Sequence, residues 1–587
     1  MSYEIESRGK KMHMNKNIAR LAVTAGLTAA LSFGGVMAPV TMAFAEGATT
    51  TTNSITINKN KDNGSVKYKA YQIFEADVVD ESGKTGKTDK VVSNVKWATG
   101  VEDATQKDII AAINKKQNGA LKATASAQDV ADWLTANIIG TTNTTVLKDT
   151  DLLNTLAGLV AKNVTPTNPT NLTGTTDGSF AADTKVSFDK SGYYLFLTDA
   201  NTLASGESTT GSKNTATSPI YAVVGAGDVI VSEKTSIPTV KKEVREGETW
   251  GKRSDSHIGE EVEYKLTGSV ASNIDTFTKY EYTFHDHLSA GLEASENSVK
   301  VKIDDTVIQP TNGYTVNLAD TTDASGHPTG GHDLTISFSD LKAAATNAGV
   351  TLKGDSKVVV TYNAKLTGEA EYTATGNTNE VKLVYSNNPM TDDKGTSESD
   401  EVTDYVFGLD VTKTASDNPK KKLVAGFKVK MTKEGTNPVN GEKWLTETGG
   451  LTDDSGKAGV FKTKETDSKV FIPGLVAGEY EITECETPAG YNSISFTIVV
   501  TPTYNETTGK LTGLTVNPSS NMVTSELGEN VTSTRIPITI ENKKGSGLPL
   551  TGLNGVTFTW IAGGAVLCIG VAHLIRSRKQ AEESEQE

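Results

Sequence analysis

At 587 residues the chain is too long for one hydrophobic core and, at roughly 100 to 200 residues per domain, divides into three or four domains. Its 72 acidic side chains outnumber 57 basic ones, and the net charge of -15 argues against nucleic acid or a polybasic membrane surface as a partner. Two cysteines, Cys485 and Cys568, exclude a disulfide scaffold, and 36% hydrophobic residues beside 22% charged ones exclude global disorder.

The first twenty residues carry Arg8, Lys10, Lys11, Lys16 and Arg20, and an apolar stretch over 21–40 follows. Ala43-Phe44-Ala45 closes it with a small-x-small pattern. Residues 1–45 therefore read as a secretory signal peptide cleaved between Ala45 and Glu46.

From Ile55 short β-rich runs alternate with Asn, Gly, Asp and Thr turns, so strands are expected to dominate residues 46–235. Two helices interrupt them. Ser126 and Asp129 form a capping-box pattern ahead of Val130, Trp133, Leu134 and Ile138, and Leu152, Leu153, Leu156, Leu159 and Val160 recur at helical spacing. These helices are expected to cover a sheet rather than to bind a cofactor. Ser236-Ile237-Pro238-Thr239 marks a joint, after which a second β-rich segment spans 236–405 and a third 406–543, leaving 544–587 as a linker and C-terminal segment. The pattern predicts an all-β fold of three tandem immunoglobulin-like sandwich domains, with helical insertions in the first.

Strand side chains alternate faces, so residues two apart point the same way. In the third domain Leu409, Val411 and Lys413 share a face, as do Tyr480, Ile482 and Glu484, and Ile536, Ile538, Ile540 and Asn542. Each apolar row ends in a polar residue. A buried Lys and a buried Glu are expensive as ions, and burial drives both toward their neutral forms. A neutral amine is a nucleophile, and a protonated carboxyl can polarise a carboxamide and carry a proton. If the three meet, Lys413 can displace ammonia from Asn542 with Glu484 as catalyst. The alternative on spacing alone is a plain Lys413–Glu484 salt bridge with the amide as a hydrogen-bond donor.

The second domain repeats the theme. Val240, Lys242 and Val244 lie on one face and Thr239, Lys241 and Glu243 on the other, which favours Lys242 over Lys241 as the internal amine. Tyr282, Phe284, Asp286 and Leu288 align an acid, while Asn379, Val381, Leu383 and Tyr385 align an amide. Asn377 has the same parity as Asn379, so both stay open. His285 and His287 flank Asp286 on the opposite face without a third ligand at useful spacing, and no metal or other cofactor is expected. The absence of H-E-x-x-H and G-x-S-x-G disfavours an extracellular enzyme.

At the C-terminal end Leu548-Pro549-Leu550-Thr551-Gly552 precedes an apolar run over 553–575 and then Arg576, Arg578 and Lys579, a spanning segment with a cytoplasmic basic stop. This order resembles the cell-wall sorting signal of Gram-positive surface proteins. The resemblance implies that a sortase cleaves between Thr551 and Gly552 through an acyl-enzyme on Thr551, anchoring the chain to peptidoglycan. Tyr480, Ile482, Glu484, Pro488, Gly490 and Tyr491 resemble the pilin E-box, YxLxETxAPxGY, in domains similar to the B-type repeats of the collagen adhesin. Ile482, Cys485 and Thr487 depart from that pattern, and Cys485, facing away from Glu484, reads as a free thiol without a catalytic part. The second domain is similar to A-type collagen-adhesin domains with Asp286 in the place of Glu.

Gly227-Asp228-Val229-Ile230-Val231-Ser232-Glu233-Lys234 resembles, more distantly, the pilin motif of shaft pilins. Alternation leaves Lys234 on the outward face with Ser232. The resemblances together imply the major shaft subunit of a covalent, wall-anchored pilus, secreted and held at the cell surface. A pilus-type sortase would join the Thr551 carboxyl of one copy to the Lys234 amine of the next, a head-to-tail polymer of the chain with itself. A housekeeping sortase would attach it to peptidoglycan, with minor pilins as further partners and the host ligand unnamed. They also imply crosslinks Lys242–Asn379 and Lys413–Asn542, with Asp286 and Glu484 as their catalysts. None is expected in the first domain, where Thr198 and Thr235 stand at the acid and amide positions. The rival reading is a monomeric wall-anchored adhesin or a tip or base pilin, which needs no acceptor at Lys234.

Overall fold

The computed structural model describes residues 53–81, 90–116, 121–138, 141, 145–172, 177–203, 213–322, 328–528 and 531–545. The signal segment with Ala45 and Glu46, and the pentapeptide Leu548, Pro549, Leu550, Thr551 and Gly552 with the apolar run after it, lie outside the described residues. The fold is mostly β, with six sheets grouped in tandem sandwiches.

In the first domain a three-stranded sheet faces a five-stranded one. The strand Gly192–Thr198 shows why helices are needed. Its residues are buried from Gly192 to Leu197, so both faces of the sheet require cover. Tyr194 and Phe196 pack with Ile55, Ile57 and Phe180 between the sheets. Tyr193 and Leu195 lie on the other face under the helices α1 (Asp103–Lys116), α2 (Ala127–Asn137) and α3 (Leu152–Asn163).

The Ser126–Asp129 capping box closes the start of α2 in both directions. Helix α1 was not among the expected elements. Ile109, Ile110 and Ile113 are its buried stripe, and Asp103 at its start with Lys115 and Lys116 at its end complement the helix dipole.

The second domain packs two seven-stranded sheets face to face, and carries a short helix, α4 (Leu341–Asn347), outside the first domain where helices were expected. The third packs a four-stranded sheet on a seven-stranded one. In the first and third domains the opening and closing strands pair side by side and parallel: Asn53–Asn58 with Gly227–Ser232, and Phe407–Ala415 with Arg535–Asn542.

The passage from the second domain to the third takes one residue. The strand Asp400–Tyr405 ends, Val406 follows, and Phe407–Ala415 begins. Val406 packs in the second core while Tyr405 and Phe407 pack in the third, so the alternation of a near-continuous strand delivers neighbours to two cores.

Candidate functional site

The third domain brings its three polar residues into one buried cluster. Parallel pairing sets Lys413 opposite Ile540 and Ala415 opposite Asn542, which carries the lysine stem along the sheet to the neighbouring amide. Lys413 Nζ donates to Asn542 Oδ1 at 2.6 Å and to the Ile540 carbonyl at 3.0 Å. Glu484 arrives from Gly478–Glu486 in the facing sheet. Its two oxygens accept from Asn542 Nδ2 at 2.8 and 2.9 Å, and Oε2 also accepts from the Ile494 backbone at 3.1 Å.

All three side chains are buried, at 1% exposure for Lys413 and Asn542 and 4% for Glu484. Burial lowers the Lys413 amine to about 8 and raises the Glu484 carboxyl above its ordinary range. The carboxamide sits between amine and acid, so the simple Lys413–Glu484 ion pair is not formed. The arrangement presents an amine of lowered proton affinity to the amide carbonyl and an acid of raised proton affinity to the amide nitrogen.

The rest of the E-box has structural work. Tyr480 OH closes a turn through both the nitrogen and the carbonyl of Val476, and Ile482 is core. Gly490, at φ +84, turns the chain so that its carbonyl accepts from Gly545. Tyr491, whose nitrogen is held by the Pro488 carbonyl, bridges to Lys544 and donates its hydroxyl to Asp417. The outgoing chain is thereby clamped beside the buried cluster of Lys413, Asn542 and Glu484. Cys485 is exposed on the face away from Glu484.

In the second domain Lys242, Asp286 and Asn379 are all fully buried but are joined differently. Lys242 and Tyr362 project from one sheet, Asp286 and Asn379 from the other. Lys242 Nζ donates to Asp286 Oδ1 and, at 3.2 Å, to the Tyr362 hydroxyl. That hydroxyl donates to Asp286 Oδ2 at 2.6 Å and accepts from Asn379 Nδ2 at 2.7 Å. No hydrogen bond links Asn379 directly to the amine or the acid, and Asn379 Oδ1 has no partner.

Burial lowers the Lys242 amine to about 8 against the opposing pull of Asp286, and raises the Asp286 carboxyl. Tyr362 was missed in the sequence. The signal was a lone phenol in the buried row Val358, Val360, Tyr362, Ala364 and Leu366, since a buried tyrosine hydroxyl needs a partner.

The alternatives separate by position. Lys241 is exposed and pairs with Glu243, and Asn377 holds a turn by bonding the Glu371 and Asp404 backbone. Asn379 lies on Asn377–Ser386, which Lys394–Thr396 and Asp400–Tyr405 follow, so it is not on the domain's last strand as a first-to-last tie would require. His287 pairs with Asp333 across the neighbouring strand at 2.9 Å.

Lys234 corrects an expectation. It is 8% exposed, not outward-facing, because the strand Gly227–Ser232 stops two residues earlier and alternation no longer governs. The Lys234 nitrogen donates to Thr217 Oγ1 at 2.8 Å, and its carbonyl accepts from Ser218 and from the amide of Asn273 in the second domain. Burial lowers its amine to about 8. Glu233 beside it is buried and accepts from Tyr68 OH, Asn60 N and Asn63 Nδ2.

Solved backbone pilins match most of the chain. The T6 backbone pilin of Streptococcus pyogenes, described as a modular three-domain structure, is 14% identical, with a TM-score of 0.46 over 84% of this chain and 99% of that one. The major pilin SpaA of Corynebacterium diphtheriae, whose structure is described as pointing to a modular pilus assembly with stabilising isopeptide bonds, is 13% identical at a TM-score of 0.40, covering 84% and 100%. The fimbrial protein FimP of Actinomyces oris is 15% identical at 0.40, covering 84% and 97%. No protein-family model matches the chain, and no curated protein matches it in sequence.

Proposed function

We propose that the chain is the shaft subunit of a covalent surface pilus, hardened from within by two self-formed isopeptide bonds. The observation that carries the reading is the buried third-domain cluster, in which an amine with its proton affinity lowered lies 2.6 Å from a carboxamide oxygen and an acid holds the leaving nitrogen. Nζ of Lys413 attacks Cγ of Asn542, Glu484 carries a proton from the amine to the departing nitrogen, and ammonia leaves. Lys242 and Asn379 are the corresponding pair in the second domain, with Asp286 as acid. Each bond forms once, so the protein turns over no external substrate.

Polymerisation rests on the order of motifs along the sequence. Lys234 stands at the first joint and Thr551 near the C-terminal end, one acceptor and one donor per copy, which is the requirement for an open head-to-tail chain. The lowered proton affinity of the Lys234 amine suits attack on an acyl-enzyme at neutral pH, and because Lys234 is buried the reading requires the joint to open when the sortase engages it. Boiling cell-wall extracts in detergent should leave a high-mass ladder that collapses to a monomer band in Lys234→Ala. A single band in the parent strain would instead support a wall-anchored monomer.

A further inference from the structure

The two clusters carry the same three residue types with an acid of different length, and only one has a phenol at its centre. Glu484 reaches Asn542 Nδ2 with both oxygens. Asp286, one methylene shorter, does not bond Asn379; the hydroxyl of Tyr362 fills the gap, touching amine, acid and amide nitrogen at once. Its valence is fully used: the one proton goes to Asp286 Oδ2, and its oxygen receives Lys242 Nζ and Asn379 Nδ2. The ring is fixed by stacking on Tyr264 at 5.4 Å and 14°, and both faces of the site are closed to solvent.

We propose that Tyr362 is a catalytic residue of the second-domain crosslink, relaying a proton from Asp286 to the departing nitrogen of Asn379. This deepens the crosslinking reading and rests on it. The neutral Lys242 Nζ bonds to Asn379 Cγ and passes one proton to Asp286. The Tyr362 hydroxyl then turns its hydrogen from Asp286 Oδ2 toward the now pyramidal Nδ2, Tyr362 gives that proton to Nδ2 and takes one from Asp286, the Cγ–Nδ2 bond breaks and ammonia leaves. Carboxyl and phenol end as they began, and no oxidant or cofactor enters. Burial holds the phenol far above its ordinary proton affinity, so it acts as a neutral hydroxyl passing protons through, not as a phenolate.

The test compares full-length protein by peptide mass spectrometry at set times after a synthesis pulse, scoring each bond by its lost ammonia. In Tyr362→Phe, which keeps the ring stack, formation of the Lys242–Asn379 bond should slow about a hundredfold or more, as loss of a proton-transfer group does. The Lys413–Asn542 bond should form at its usual rate and report that the chain has folded. Adding Asp286→Glu to Tyr362→Phe should restore the bond, because the longer acid reaches the amide unaided; a purely structural tyrosine would not be replaced in this way. Wild-type speed in Tyr362→Phe, or no restoration by the longer acid in chains with the third-domain bond intact, overturns the relay and leaves the crosslinking reading standing. Absence of the second-domain bond from wild-type protein overturns both.

Discussion

A lysine with 1% of its surface exposed is unstable as an ion unless something takes its charge, and Lys413 has no direct carboxylate partner. Its nearest polar neighbours are two carbonyl oxygens, and burial lowers the proton affinity of its amine. Glu484→Gln tests this at single-residue resolution, because glutamine keeps the volume of the acid and one of its two accepting oxygens but cannot shuttle a proton. Intact mass should rise by the retained ammonia. The melting temperature should fall by the equivalent of about 4–5 kcal/mol, the loop-closure effect of a tie between residues 129 apart. Unchanged mass on this substitution would remove Glu484 from the chemistry. Its part was visible beforehand because one strand's alternation places it. Tyr362 was not, because its partner Asp286 is 76 residues away on the facing sheet and no single strand's pattern reports a contact across sheets.

At the level of elements, parallel pairing of the first and last strands decides how the third domain bears load. Tension enters at Phe407 and leaves beyond Asn542 at the opposite end of the ladder, shearing the hydrogen bonds between the two strands instead of peeling them. The proposed Lys413–Asn542 bond would lie toward the exit end and would take that shear covalently, while the turn at Gly490 holds the departing chain onto the same domain. Pulling single molecules from their ends should therefore extend the third domain hardly at all. In Glu484→Gln it should release about 3.5 Å per residue of the freed segment. Full-length release in wild-type protein would rule out a load-bearing tie. The second domain differs: its amide is on a strand followed by two more, so the proposed Lys242–Asn379 bond would join the two sheets rather than the two ends.

Across the whole molecule the joints are packed. At the first, Ala216 and Asn387 and then Asn387 and Asn214 bond across the domains, and Met390 of the second domain packs on the first core. At the second, Asp255 accepts from Ala477 at 3.1 Å and from the hydroxyl of Tyr504 at 2.8 Å, and His257 bonds the Gly474 carbonyl. Asp404, beside Tyr405 whose ring packs 5.3 Å from that of Tyr504, is fully buried with Ser254 and Ser256 donating to one oxygen, and burial raises its carboxyl to about 7. Between about pH 4 and 7 the folded chain thus holds a proton that the unfolded chain releases, so this group's contribution to stability falls as pH rises through that window. Asp404→Asn should match wild type near pH 4 and gain on it by about 1.4 kcal/mol per pH unit up to 7, read as the difference in melting temperature. A difference independent of pH would show that the carboxyl is already ionised in the fold.

What the sequence determined by itself was everything that follows from local periodicity and order along the chain. That includes the β class, the helices that α2 and α3 became, and the inward rows ending at Lys413, Glu484, Asn542, Lys242, Asp286 and Asn379. These are legible because a period of two assigns each side chain a face before any partner is known. Tertiary structure alone decided which rows meet, that Asn379 rather than Asn377 faces the second-domain amine through Tyr362, and that Lys234 is buried at a joint. Contacts across sheets and between domains depend on how separate elements pack, and a residue just past a strand's end has no alternation to read.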